Sequence, residues 1–549
     1  MMKQLILISL ILASFNSFSQ IDTEADIDFE ILKHLELFEM VYKNVDLFYV
    51  DEPNPGELMK TGIDAMLAEL DPYTNYIPES KMEDYKMMTT GQYGGIGAII
   101  RLVDEKVTVV EPQEKFPAHK AGMLAGDVFI EIDGKNVEDL SSAQISEKLK
   151  GQPGKALEIT ISRQGELKSF SLVREEVKMS PVPYYGIVGK NTGYIKLTSF
   201  TQSSAKDVQD AFIDLKNTYQ IDHLIFDLRG NGGGLLNQAV HMVNYFVEKG
   251  SDIVEIKGRM AGVNQSFNAR NKPLDLKIPI VILVDGASAS ASEVVSGALQ
   301  DLDRAVIVGQ TSFGKGLVQQ PLDLKYNAKI KVTIAKYYTP SGRCIQKLDY
   351  SNKEFGANAE AISEETLNKF KTKNGRTVID GRGVEPDVIV EIPEYSRLAA
   401  TLFFENVFFN YATDYRAKYS EIPEQFPFTL SKEMYNAFKI YVISKNIDYS
   451  NVSSEVMTSL RETAEEEGLY KGSEEVYDQL MAYYKPDISK DLDRYKTEIA
   501  DILEDEIIGR YYFQTGRLQH GLATDPYILE ALKILNDQER YNSILNIQN

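Results

Sequence analysis

HLIFDLRGNGGGLLNQAVHMVNYF (residues 223–246) changes periodicity twice within 24 residues. Residues 223–228 form a short apolar run, the signature of a strand buried on both faces. Residues 229–234 are glycine-rich and break it. Leu236, Val240, Val243 and Phe246 then recur at helical spacing. The pattern returns downstream. Residues 278–284 are apolar, GASASAS follows, and Val294, Val295, Ala298 and Leu299 mark another helix; residues 305–308 make a third apolar run. Repeated strand–loop–helix units predict an α/β core over residues 177–392. Within it, residues 317–324 and 329–338 predict a hairpin around Tyr326-Asn327.

Outward from this core the pattern changes. Residues 91–176 carry short β-like runs at 97–103, 107–110, 127–132, 157–163 and 169–174, with one helix near 143–150. They read as a small β domain. Upstream, residues 26–90 show helical spacing (Phe29, Leu32, Leu35, Phe38, Val41), then a Pro-rich break at 52–56 and a second helix through Leu58, Ile63, Met66 and Leu70. Downstream, residues 393–549 read as an acidic, aromatic-rich helical domain. At the N-terminus, Lys3, an apolar stretch over 5–15, and the small residues Ser17 and Ser19 predict a secretory signal peptide over residues 1–19. That stretch is shorter than the ~20 residues of a membrane span, so no stable membrane span is expected.

The chain has 549 residues, one cysteine, five histidines, no tryptophan and a formal net charge of −22. A lone cysteine excludes an internal disulfide, a zinc ribbon or a CxxC redox pair. The acidic balance opposes nucleic-acid binding, which needs a basic face to neutralise phosphate. His34, His119, His223, His241 and His520 are scattered, with no H-x3-H pair, so neither a metal site nor any cofactor is expected. Residues 309–316 fit G-x4-G-K, but Gly316 stands where a phosphate loop needs Ser or Thr, and a strand pattern follows where it needs a helix.

The chemistry-bearing residues left are serine and lysine. The run Gly286-Ala-Ser288-Ala-Ser290-Ala-Ser292-Glu293 joins a predicted strand to a predicted helix. A serine there is exposed beside the helix N-terminus, whose dipole favours a developing negative charge. The bland reading is a run of capping serines. Lys315, between Gly314 and Gly316, is a candidate base, provided its surroundings keep the amine neutral. Gln319, four positions on, falls on the same face of an extended strand. The glycine loop 230–234 offers backbone N–H groups. His223, at a strand start, and His241, inside a helix, read as structural.

These residues occur in an ordered set of motifs: LDPYTNYI (70–77), YGGIGAII (93–100), PAHKAGMLAGDVFIEIDG (117–134), FDLRGNGGG (226–234), GASASASE (286–293), GQTSFGKGLVQ (309–319), YYTPSGRCIQ (337–346) and GRGVEPDV (381–388). Together they resemble the carboxyl-terminal processing, or tail-specific, proteases, which are Ser-Lys endopeptidases. The resemblance covers about residues 30–392. It implies a multidomain α/β protein: a crotonase-like α/β peptidase core with an inserted PDZ domain, a helical N-terminal region and a helical C-terminal domain. It implies Ser290 as nucleophile, Lys315 as general base and Gln319 as its orienting amide. The oxyanion hole would use Ala291 and a glycine of the loop, Gly232 or Gly233. The PDZ segment Tyr93, Gly94, Gly95, Ile96 and Gly97 would receive a substrate tail.

Partners implied are protein or peptide substrates with nonpolar C-termini; an adaptor protein and homo-oligomers are compatible with it. Localisation would be exported, periplasmic in a Gram-negative bacterium and otherwise extracellular. Lys150 stands where relatives often carry arginine, and lysine lacks arginine's planar, multi-donor head. The alternative reading is a non-catalytic PDZ peptide-binding scaffold with a vestigial core. Cys344, with no motif histidine beside it, reads as a packed residue.

Overall fold

A computed structural model describes residues 28–547 apart from 352, 354, 393, 424 and 425; the expected signal peptide lies outside these residues. The chain falls into two units, one ending at Tyr76 and one beginning at Ile77. The first contains a helix over 28–48 and the helix Pro55–Ala68. Asn54 caps the latter by accepting from the Gly56 and Glu57 N–H groups, with Pro55 opening the first turn. The Tyr42 hydroxyl donates to the Pro55 carbonyl at 2.7 Å.

The second unit begins its β structure with the strand Gln92–Gly95, paired antiparallel with Glu175–Lys178. Between them lies a five-strand antiparallel path in the order Ala98–Val103, Lys106–Pro112, Val128–Ile132, Ala156–Arg163, Glu166–Val173. Helix Ser142–Leu149 covers it, opened by a capping box in which Ser141 and Gln144 bond each other's backbone N–H. Val109, Phe129, Ile145, Ile159 and Ile161 form its core. Arg163 grips Asp127 through two bonds of 2.6 and 2.7 Å. Ala98–Val103 is the edge of this path, so one row of its backbone groups is open to pairing.

The α/β core is a six-stranded sheet ordered Tyr184–Val188, Thr192–Lys196, His223–Asp227, Ile280–Val284, Val306–Gly309, Val388–Ile389. The first pair is antiparallel and every later pair parallel. Strand residues alternate between two apolar layers. Ile280, Ile282 and Val284 face the helices Ser204–Thr218, Leu236–Asn244 and Ala291–Asp301. Val281 and Leu283 face Tyr527, Ile528, Ala531 and Ile534 of the helix Pro526–Leu535. The apolar runs read from sequence are continuous because both faces are covered.

The helical segment expected at 393–549 therefore contributes to two cores. Helices Arg397–Phe404, Val407–Lys418, Lys432–Ser444 and Ile488–Arg494 pack with the first half of Lys496–Gly521 around Leu402, Phe408, Phe438, Leu503 and Ile507. Pro526–Leu535 and Gln538–Ile544 instead complete the second face of the central sheet. Periodicity announces an apolar helix face but not the surface that it covers. No helix among the described residues is long and apolar enough to cross a membrane.

Candidate active site

Three parallel strands end side by side at Asp227, Val284 and Gly309, and the loops that follow carry the glycines, serines and lysine singled out above. The carboxyl ends of parallel strands are where open α/β sheets build their sites. Ser290, Ala291, Lys315, Gln319, Gly232 and Gly233 all line one cavity of about 410 Å³. Leu236, Val294, Leu317, Val318 and Met88 give it apolar wall.

The three serines of the run have different fates. Ser288 is fully buried, and its hydroxyl donates to the Leu228 carbonyl at 2.9 Å. Ser292 is fully buried, and its hydroxyl donates to the Asn231 carbonyl at 2.8 Å. Ser290 is half-buried and borders the cavity. Its φ of 57° and ψ of −111° lie outside the regions ordinary residues occupy, and such strain gathers at functional sites. It stands directly before the helix Ala291–Asp301. Ala291, at the first helical position, has no carbonyl four residues back for its N–H to bond within the helix.

Two residues absent from the sequence-derived site join Ser290 to Lys315. Glu293 is fully buried. Its Oε2 accepts the Ser290 N–H at 2.8 Å and the Lys315 N–H at 2.9 Å. Its Oε1 accepts the Ser312 hydroxyl at 2.5 Å and the Gly314 N–H at 2.7 Å. Burial raises its carboxyl pKa, and these four donors oppose the rise. The Tyr337 hydroxyl lies 3.0 Å from the Ser290 carbonyl and 2.6 Å from the Lys315 carbonyl. Its single proton serves one carbonyl at a time. The N–H and C=O groups of Ser290 and Lys315 are thus fastened by shared partners. Glu293 sits three residues after Ser290, the spacing of a capping box, so a local signal for it existed. Tyr337 lies 22 residues beyond Lys315 on the second strand of the hairpin, and no local pattern points to it.

The glycine loop is held as firmly. Asn231 is fully buried; its Nδ2 donates to the Leu197 carbonyl, while its own carbonyl accepts the Ala289 N–H at 3.0 Å. The Gly230 N–H donates to Asp285. Gly233 lies closest to the serine: a Cβ there would come within 2.9 Å of Ser290 Cβ and 3.0 Å of the Ala291 nitrogen, and its φ is +101°. Its own N–H donates to Asn231 Oδ1 at 2.9 Å. Gly232, exposed on the same cavity wall, has no such bond among the described residues. At the loop's base Asp227 is fully buried. Burial opposes its ionisation, but Arg229 and Lys196 beside it and the Tyr194 hydroxyl hold its carboxyl well below the usual range.

Gln319 donates from Nε2 to Thr333 Oγ1 at 3.1 Å. Tyr93, Gly94 and Gly95 lie in the ladder with Glu175–Lys178, so only Ile96 and Gly97 remain as a link into the edge strand. The expected five-residue receiving loop is corrected to that extent: backbone pairing across the domain entry takes its first three residues. Lys150 bonds Asp84 at 2.7 Å and lies 5.9 Å from the Tyr93 ring centre. His223 begins its strand half-buried, and burial lowers its imidazole pKa; His241 is exposed on its helix. Burial pushes the Cys344 thiol up, away from a reactive thiolate. Among the described residues no cluster of His, Cys, Asp and Glu could hold a metal ion.

Comparison with known proteins agrees with this arrangement. Residues 191–352 match peptidase family S41, residues 94–173 match the PDZ domain, and residues 398–535 match the C-terminal helical domain of probable PDZ-proteases. A carboxy-terminal-processing protease of Bartonella bacilliformis is 38% identical over 319 residues, covering 57% of this chain and 73% of the relative. A probable CtpA-like serine protease of Staphylococcus aureus is 30% identical over 368 residues, 66% of each chain. Among solved structures, a photosystem II D1 C-terminal processing protease aligns at 28% identity and a TM-score of 0.36, over 65% of this chain and 92% of that one. The chain belongs to the carboxy-terminal-processing protease family, within peptidase family S41, and carries that family's PDZ domain.

Proposed function

We propose that this protease is an exported endopeptidase that cleaves protein substrates near their C-termini with Ser290 as nucleophile and Lys315 as general base. The observation that carries the reading is selective. Of three serines in the run, Ser290 alone borders the cavity that Lys315 and Gln319 also line, and Glu293 and Tyr337 fix its backbone to that of Lys315.

The Lys315 amine, neutral, takes the Ser290 hydroxyl proton as Oγ attacks the scissile carbonyl carbon. The Ala291 and Gly232 N–H groups receive the oxyanion. The carbon–nitrogen bond breaks, and the lysine ammonium returns the proton to the leaving amine. Water then attacks the acyl-serine ester, again with Lys315 as base, releasing the new carboxyl end and restoring Ser290. Gln319 orients Lys315. Such fixed backbone donors supply much of the rate in acyl transfer. The apolar wall favours an apolar side chain beside the scissile bond. The edge strand Ala98–Val103, flanked by helix Ser142–Leu149 and entered from Ile96 and Gly97, takes the substrate tail as an added strand. Residues 1–19 direct export, to the periplasm in a Gram-negative cell.

Incubation with an unfolded, apolar-tailed protein tests the reading. Cleavage by wild type and its loss in Ser290→Ala are expected. Tight binding of the tail without cleavage by wild type would instead support a peptide-binding scaffold.

A further inference from the structure

The inference concerns the loop assigned above to the oxyanion and rests on that assignment. Its base is fastened by a residue far outside the S41 match. Arg229 opens the loop. Its Nε and Nη2 donate to the two carboxylate oxygens of Asp227 at 3.0 and 2.7 Å. Its carbonyl accepts from Lys196 Nζ at 2.7 Å. The remaining nitrogen, Nη1, points the other way and meets Asp525 Oδ2 at 2.7 Å. The guanidinium lies 4.5 Å from the centre of the Tyr527 ring. Asp525 and Tyr527 begin the helix Pro526–Leu535, which covers the second face of the central sheet.

Four charges balance in this cluster: Lys196 and Arg229 against Asp227 and Asp525. Asp227 is wholly buried, and the side chains of Arg229 and Asp525 are 16% and 21% exposed. Removing the Asp525 charge leaves the cluster with an excess cation and frees the outer end of the guanidinium. Arg229 is followed directly by Gly230, Asn231 and Gly232, so a shift in it is carried into the donor. Donors in a reacting site tolerate only about 0.5 Å of misplacement.

We infer that Asp525 is a positioning residue for catalysis: through Arg229 it holds the 229–234 loop in register with Ser290, making the C-terminal helix part of the active site.

Asp525 also caps its helix, Oδ1 accepting the N–H groups of Tyr527 and Ile528 at 2.8 and 3.2 Å. Asparagine caps as well as aspartate, so Asp525→Asn keeps the cap and removes the charge from Arg229. The full-length wild type and variant are titrated with a fluorophosphonate, the labelled residue is mapped, and peptide hydrolysis is expressed per titrated site. Affinity for a peptide aldehyde, whose serine adduct places an oxygen in the hole, is compared with affinity for the product peptide. Expected are a kcat per site lower by about tenfold, a smaller loss than that of deleting a donor outright, KM within about twofold, aldehyde binding weakened in parallel, and product binding unchanged. Wild-type kcat per site, with or without a reduced titre, overturns the inference, as does a rise in KM alone. Should Asp525→Asn not fold, Asp525→Ser, another good cap, is read by the same criteria. If the wild-type label maps away from Ser290, the nucleophile assignment itself fails, a result distinct from these.

Discussion

Glu293→Gln isolates the contact that joins the proposed nucleophile to the proposed base. The carboxylate receives four donors, two on each oxygen. Glutamine keeps the shape but turns one oxygen into an NH2 group. Were that group to face the Ser290 and Lys315 N–H groups, two donors would meet two donors with no acceptor between them. The other rotamer costs less. There the NH2 group meets Ser312, whose hydroxyl can turn and accept, and the Gly314 N–H, which cannot. One buried N–H is then left unsatisfied, at about 1–3 kcal/mol, and the remaining bonds lose their charge assistance, at about 1 kcal/mol more. A local loss of about 3 kcal/mol corresponds to roughly 100-fold faster opening-limited exchange. Hydrogen exchange resolved at the Ser290, Gly314 and Lys315 amides should show it, with Gly314 affected most. The same slackening should lower kcat about tenfold while KM moves little. Glu293→Ala leaves four donors without an acceptor and should not give folded protein. Wild-type exchange at all three amides, or unchanged kcat in Glu293→Gln, would refute the reasoning.

Tyr337→Phe removes the hydroxyl shared by the Ser290 and Lys315 carbonyls without opening a cavity; kcat should fall several-fold, with a stability loss of about 1 kcal/mol, read by steady-state kinetics and denaturant unfolding. Gly233→Ala should abolish hydrolysis, because the methyl would lie 2.7 Å from the Ala289 carbonyl oxygen and 2.9 Å from Ser290 Cβ at a φ of +101°; tail-peptide binding to the PDZ domain, measured by fluorescence anisotropy, should survive. Asp227 has a depressed carboxyl pKa, so its stabilising contribution is complete above the unfolded value of about 3.9 and is lost only as pH falls through the lower folded value. In an acid titration followed by tyrosine fluorescence, Asp227→Asn should therefore be less stable than wild type at neutral pH, with the gap closing only in strong acid.

Much of the peptidase core was legible in sequence because its signals are local. A strand buried on both faces must be an unbroken apolar run, and residues 223–228 and 278–284 are such runs. A loop between strand and helix must be small and polar, and 229–234 and 286–290 are. Ser290 and Lys315 could be singled out because each sits in glycine- or serine-rich context directly after a strand. The PDZ elements were legible for the same reason, with the observed strands within a few residues of those read from alternation. What escaped depends on contacts between distant segments. Tyr337 reads as one more apolar strand residue, and only pairing of the hairpin places its hydroxyl between two loops. Asp525 reads as an ordinary helix cap, which it is; its second oxygen, on Arg229, follows from how the last helices cover the sheet. Tyr93–Gly95 read as loop because glycines suggest it, yet these glycines admit a close backbone approach: a Cβ on Gly94 would lie 2.0 Å from the Gly151 carbonyl oxygen.

The account's central claim is that Lys315 activates Ser290, and the rate of covalent labelling by a fluorophosphonate, followed from acid to alkaline pH in wild type and Lys315→Ala with the adduct mapped, tests it most directly. The account predicts an adduct on Ser290, a rate that climbs with pH as an amine deprotonates, and slow labelling without that limb in Lys315→Ala. An adduct on another residue, or a Lys315→Ala profile matching wild type, would contradict it.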